Sequence, residues 1–195
     1  MFTIDNDITN EIIIKNSRFI TVIHKIYNID DVEIYIDNIK KIYKDANHYC
    51  YAYVIDNSKK FDDNGEPSGT AGSPIMQVLE KNNLNYVICV VIRYFGGIKL
   101  GAGGLTRVYS KSTVECLKKG NILTLTDGYN VNISFNYDYV NTVNYMLKDI
   151  NIIDKKFDNK ITYNLNISTK LYDKLSNDKN IDLNIIKKIK IEYIT

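Results

Sequence analysis

Apolar residues recur along this chain with two different periods, and the switches between them lay out its elements. In "EIIIKNSRFITVIHKI" (residues 11–26) they form two short runs parted at Asn16 and Ser17, which predicts two strands joined by a turn. "IDDVEIYIDNIKKIYKDA" then changes to helical spacing: Val32, Ile36, Ile39 and Tyr43 share one face, with Asp30 or Asp31 placed as the cap. "HYCYAYVID" returns to a strand and is followed by the turn-rich "NSKKFDDNGEPSGTAG". A helix opened by Ser73 as cap and Pro74 in its first turn buries Ile75, Val78 and Leu79. "NYVICVVIRYF" is apolar without strict alternation, the pattern of a central strand covered on both faces. After it the spacing predicts a helix from Leu105 to Lys119, stopped by Gly120.

Beyond Gly128 the chain has no glycine and the pattern starts afresh. Val131, Ile133, Phe135 and Tyr137 alternate as in a strand, while Val140, Val143 and Leu147 recur as in a helix. "NIIDKKF" and "KITYNLNIST" read as two strands around Asp158 and Asn159. A short helix near residues 169–178 and a last strand, "IIKKIKIEYI", complete a βαββαβ order, that of the ferredoxin-like split βαβ motif. The turn-like "LTDGYN" sets a boundary near Thr126 to Gly128, giving domains 1–126 and 127–195.

Composition narrows the class. A chain of 195 residues fits one large domain or two small ones, and 45% hydrophobic with 25% charged residues marks a folded protein, which excludes a disordered one. "MFTIDNDITN" has neither a basic start nor an apolar core, and no apolar run approaches the roughly 18 residues of a membrane span. Cys50, Cys89 and Cys116 are odd in number and lie far apart among apolar neighbours, so they read as buried free thiols of a reducing compartment. With His24 and His48 the only histidines, no metal set and no cofactor are expected. A cytoplasmic monomer without membrane association is the expectation.

The net charge of +2 decides little, but its distribution says more. Of the three arginines, Arg93 and Arg107 bracket a loop holding Gly96, Gly97, Gly101, Gly103 and Gly104, five of the ten glycines. Such a loop, leaving a strand and entering a helix, offers main-chain N–H groups at the positive end of a helix dipole. Arg93, Lys99 and Arg107 would add charged donors, and the sum is a phosphate site. Lys111, Lys118 and Lys119 taken alone read as a solvated basic helix face.

Known nucleotide loops do not fit. Gly96 and Gly101 have Walker A spacing, but Ala102 and Gly103 follow where Lys and Ser or Thr belong. Gly101 to Gly104 begin like a dinucleotide fingerprint, yet Thr106 stands at its last glycine. Upstream, His48, Asp62, Asp63, Glu66, Ser68 and Thr70 are candidates for a second cleft in which carboxylates could assist hydrolysis, although "DDNGEP" also reads as an exposed turn.

"DDNGEPSGTAGSPI" and "VVIRYFGGIKLGAGGLTRVY", with the earlier "NSRFI" and "HYCYAY", resemble the YigZ/IMPACT family over essentially the whole chain. The resemblance implies an α+β protein: an N-terminal left-handed βαβ domain of ribosomal-protein-like type followed by the ferredoxin-like βαββαβ domain. It points to RNA or the ribosome as partner and to translational control, in which the family's eukaryotic members act. Two departures stand out. The histidine pair usual before the cysteine-bearing strand is replaced by Asn47 and His48, and Asn64 is an insertion expected to loosen the acidic turn. The leading expectation is a non-catalytic, nucleic-acid- or ribosome-associated protein that holds phosphate through the glycine loop. A small hydrolase or transferase acting on a phosphorylated substrate, and a module for an unidentified protein partner, stay open beside it.

Overall fold

The computed structural model describes residues 1–194. The chain divides into two compact units, Met1–Thr124 and Leu125–Tyr193. Its class is α+β, and among the described residues no helix is long and apolar enough to cross a membrane.

In the first unit, β1 (Phe2–Ile4) pairs with the start of β7 (Ile122–Phe135). A five-stranded antiparallel sheet is built from β2 (Ile8–Ile14), β3 (Ser17–Lys25), β4 (His48–Ile55), β5 (Ser58–Asp62) and β6 (Val87–Tyr94), in the order β2-β3-β6-β4-β5. β6 is central, and the continuous apolar run has a direct cause: one parity faces one helix layer and the other parity faces a second. Ile88, Val90 and Ile92 meet Val32, Ile36 and Ile39 of α1 (Asp31–Ile42). Val87, Cys89 and Val91 lie in the core formed with α2 (Gly72–Lys81) and α3 (Ala102–Leu117).

The second unit runs from the rest of β7 through α4 (Val140–Met146), β8 (Ile152–Phe157), β9 (Ile161–Ser168) and α5 (Thr169–Ser176) to β10 (Asp182–Ile194). This is the βαββαβ order, with β7 between β9 and β10. Val131, Ile133 and Phe135 of β7 pack with Ile161, Tyr163 and Leu165 of β9 and with Val143, Leu147 and Leu175. The amide side chains of Asn130 and Asn164 join on the opposite parity.

Four local expectations are corrected. The turn-rich "NSKKFDD" contains β5, whose exposed Lys59 and Lys60 belong to a charged sheet edge. Asp30 occupies the cap position of α1 but its side chain accepts no capping bond. α2 opens at Gly72 with Ala71 as cap, not at Ser73 and Pro74, because a distant carboxylate receives its first amides. Helix α3 begins at Ala102, three residues before Leu105, and ends at Leu117 with Lys118 as its C-cap. Gly120 serves close packing there, since a Cβ would meet the Ile8 side chain at 2.1 Å.

Candidate functional site

β5 and β6 are both antiparallel to β4, so they run in the same direction and deliver the acidic turn and the glycine loop to one end of the sheet. There Glu66 of the turn meets Arg93 of β6 and Tyr109 of α3. Nη1 of Arg93 donates to Oε1 of Glu66, and the hydroxyl of Tyr109 donates to the same oxygen at 2.8 Å. The side chains of Arg93 and Glu66 are 6% and 3% exposed. Arg93 thus faces inward, with its guanidinium against the rings of Phe19 and Phe95. Its placement follows from strand parity, because Arg93 stands two residues after buried Val91 on the face that α2 and α3 cover.

The rest of the acidic turn is structural as well. One carboxylate oxygen of Asp63 accepts from the main-chain N–H of Ala71 (2.9 Å) and Gly72 (2.8 Å), the other from Gly69 (2.7 Å). The amides that open α2 therefore already hold an anion, supplied by the chain itself. Asp62 accepts from the N–H of Asn64 at 2.6 Å, and the Thr70 hydroxyl donates to the Pro67 carbonyl. Asn64 tightens the turn rather than loosening it. Its side-chain oxygen accepts from Tyr49 N–H (2.7 Å) and its carbonyl from Nδ1 of His48 (2.8 Å). His48 is half-buried, with Nε2 3.9 Å from the second oxygen of Glu66. Ser68 is exposed. Cys50 lies beneath this network, its thiol donating to the Asp63 carbonyl, and burial pushes that thiol up to about 12. Burial thus keeps it as the neutral thiol near neutral pH.

The glycine loop is organised in the opposite way. At its root, Phe95 N–H donates to the Asn47 side chain (2.7 Å) and Gly96 N–H to the Ser17 hydroxyl (3.1 Å). Gly96 is required because a Cβ would lie 2.0 Å from the carbonyl carbon of Asn16. Gly97 and Gly101 have φ of 84° and 71°, in the left-handed region. From Gly97 to Gly104 no main-chain N–H meets a protein acceptor among the described residues. α3 has no side-chain cap and no acid in its first turn. Lys99 and Arg107 are exposed, and neither has an ion-pair or hydrogen-bond partner among the described residues, whereas Arg18 is paired with Glu11 at 2.9 Å. Gly103 has helical φ, and a Cβ there would meet nothing within 4 Å.

The structure thus joins Arg93, Glu66 and His48 in one network, and leaves Lys99 and Arg107 exposed and the main-chain N–H groups from Gly97 to Gly104 without a protein acceptor among the described residues. Tyr109, a candidate in sequence for either an exposed protein-binding surface or the core, is fully buried and joins this network from the buried face of α3, where its spacing to Leu105 and Thr113 puts it.

The family model for the Impact N-terminal domain matches residues 15–117. The IMPACT family member YvyE of Bacillus subtilis (strain 168) is 37% identical over 174 residues, which covers 88% of this chain and 78% of that protein. YigZ of Escherichia coli (strain K12) is 36% identical over 111 residues, about half of each chain at 54%. A crystal structure of a hypothetical protein aligns over 95% of this chain and 97% of its own, at 26% identity and a TM-score of 0.61.

Proposed function

The chain belongs to the IMPACT family, and from that premise we propose that its first unit is a non-catalytic, nucleic-acid-binding module that holds phosphate at the glycine loop. The translational setting follows from the family resemblance. The observation that carries the phosphate reading is the unequal treatment of two helix starts at one end of the sheet. Asp63 fills the amides that open α2, while those that open α3 are open and flanked by unpaired Lys99 and Arg107. A phosphate oxygen placed there accepts main-chain N–H bonds in the favourable field of a 16-residue helix and meets two cations. Arg93 contributes by holding the root of the loop from beneath. Both oxygens of Asp63 and one each of Asp62 and Glu66 accept from amides, a hydroxyl and a guanidinium, which supports binding over metal-assisted hydrolysis.

Salt titration of binding to a labelled mixed-sequence polynucleotide tests this. The affinity of the intact chain should fall with log salt at about 0.7–0.9 per phosphate neutralised. A Lys99→Ala, Arg107→Ala double variant should lose up to two of those units while keeping its melting temperature. An unchanged slope and affinity in that variant would overturn the proposal.

A further inference from the structure

Beside the free amides stand two exposed apolar side chains, Phe95 at 44% and Ile98 at 46% of full exposure, on either side of Gly96 and Gly97. Phe95 is held, not loose: its main chain is pinned by Asn47, and the Arg93 guanidinium lies 5.4 Å over its ring. Arg93 itself stays buried on the other side of the ring, paired with Glu66. An exposed aromatic ring held in place beside uncovered main-chain donors points to a ligand that supplies a flat apolar face next to its anion.

We infer that the nucleic acid held at this loop is single-stranded, with one base stacked on Phe95 while the adjoining phosphate takes the amides after Gly97. The inference rests on the phosphate reading above. A duplex hides its base faces inside the helix and offers an exposed phenyl ring nothing, whereas an unpaired strand presents a base beside every phosphate. The ring is also positioned in advance by the guanidinium beneath it, so little side-chain freedom is lost on stacking. Gly103, with open space where a Cβ would project, keeps the approach to the amides clear for the backbone.

Fluorescence anisotropy on the full chain separates the outcomes. The probes are a labelled 12-nucleotide single strand, the same sequence as a duplex, and inorganic polyphosphate as competitor. The single strand should bind at least ten times tighter than the duplex. Phe95→Leu, which keeps apolar volume but removes the aromatic face, should cost on the order of 5- to 150-fold on the single strand and leave polyphosphate competition unchanged. Phe95→Ala is the second variant, with thermal melting as the folding control. If strand and duplex bind equally, or Phe95→Leu matches the parent while Lys99→Ala, Arg107→Ala weakens binding, the stacking inference is overturned and the phosphate site stands. If no polyanion binds, the phosphate reading itself falls. Retention of an apolar peptide in place of any nucleic acid would assign Phe95 and Ile98 to a protein partner and also overturn it.

Discussion

Replacing Glu66 by alanine leaves the Arg93 guanidinium buried without its counter-charge. The two side chains are 3% and 6% exposed, so water cannot take the place of the carboxylate. Loss of one partner from a desolvated pair costs about 3–5 kcal/mol. The Tyr109 hydroxyl loses its carboxylate acceptor too, for about 1 kcal/mol more. At roughly 3–5 °C per kcal/mol for a unit of this size, Glu66→Ala should melt about 12–30 °C lower in scanning calorimetry. Glu66→Gln, which keeps shape and an oxygen for Tyr109, should lose less. Arg93→Met should fall about as far as Glu66→Ala, and the double variant Glu66→Leu, Arg93→Met should recover much of the loss, since two apolar side chains leave no charge stranded. The reasoning is refuted if Glu66→Ala melts within 2 °C of the parent while Arg93→Met keeps its stability and loses polyanion affinity. That outcome would make Arg93 a ligand-facing cation.

Three further outcomes follow from the same geometry. Gly103→Ala should raise stability by about 0.5–1 kcal/mol in urea titration, because a helical residue gains order at no steric cost, yet weaken polynucleotide binding; a stabilised variant with unaltered binding would detach Gly103 from the site. Gly96→Ala should destabilise by about 1–3 kcal/mol or more, since its Cβ would lie 2.0 Å from the Asn16 carbonyl carbon; the readout is the urea midpoint. Alkaline pH should erode stability from about pH 9. Burial pushes Cys50 and Cys116 up to about 12, while thiols of the unfolded chain titrate near 8.5–9. The native state therefore keeps protons that the unfolded state has lost. Stability is complete below about pH 9 and drops by about 1.4 kcal/mol per pH unit per thiol until pH 12; urea midpoints at pH 8, 9.5 and 10.5 that coincide would contradict this.

What the hydrophobic pattern could reveal was whatever depends on neighbours in sequence. The central strand, the face of α1 and the βαββαβ order all rest on periodicity within a few residues. The partner of Arg93 is 27 residues away, and nothing local singles out Glu66 from Asp62 and Asp63. The glycine loop beside Arg93 suggested an outward-facing cation, whereas period two, counted from Val87 through Cys89 and Val91, puts Arg93 on the helix-covered face. His48 follows the same rule two residues before buried Cys50 and Ala52. The start of α2 was misplaced for a related reason: capping rules look one residue upstream, and the acid that serves Gly72 stands nine residues away. For α3 the pattern began at its first apolar side chain, so its glycine-bearing first turn was read as loop.

That first turn is where local stability and the arrangement of the chain disagree. A helix start gains about 0.3–1 kcal/mol from a nearby carboxylate and a further amount from a side-chain cap. The chain has 23 acidic residues and places none in the first turn of its longest helix, while Asp63 alone accepts three amides at the neighbouring helix start. It also places Gly103 where alanine would fit without contact. Each omission lowers stability slightly, and each keeps main-chain donors uncovered beside Lys99 and Arg107. Local rules are broken together in this way at functional sites, and the missing acid in the first turn of α3 is what the proposed phosphate site requires.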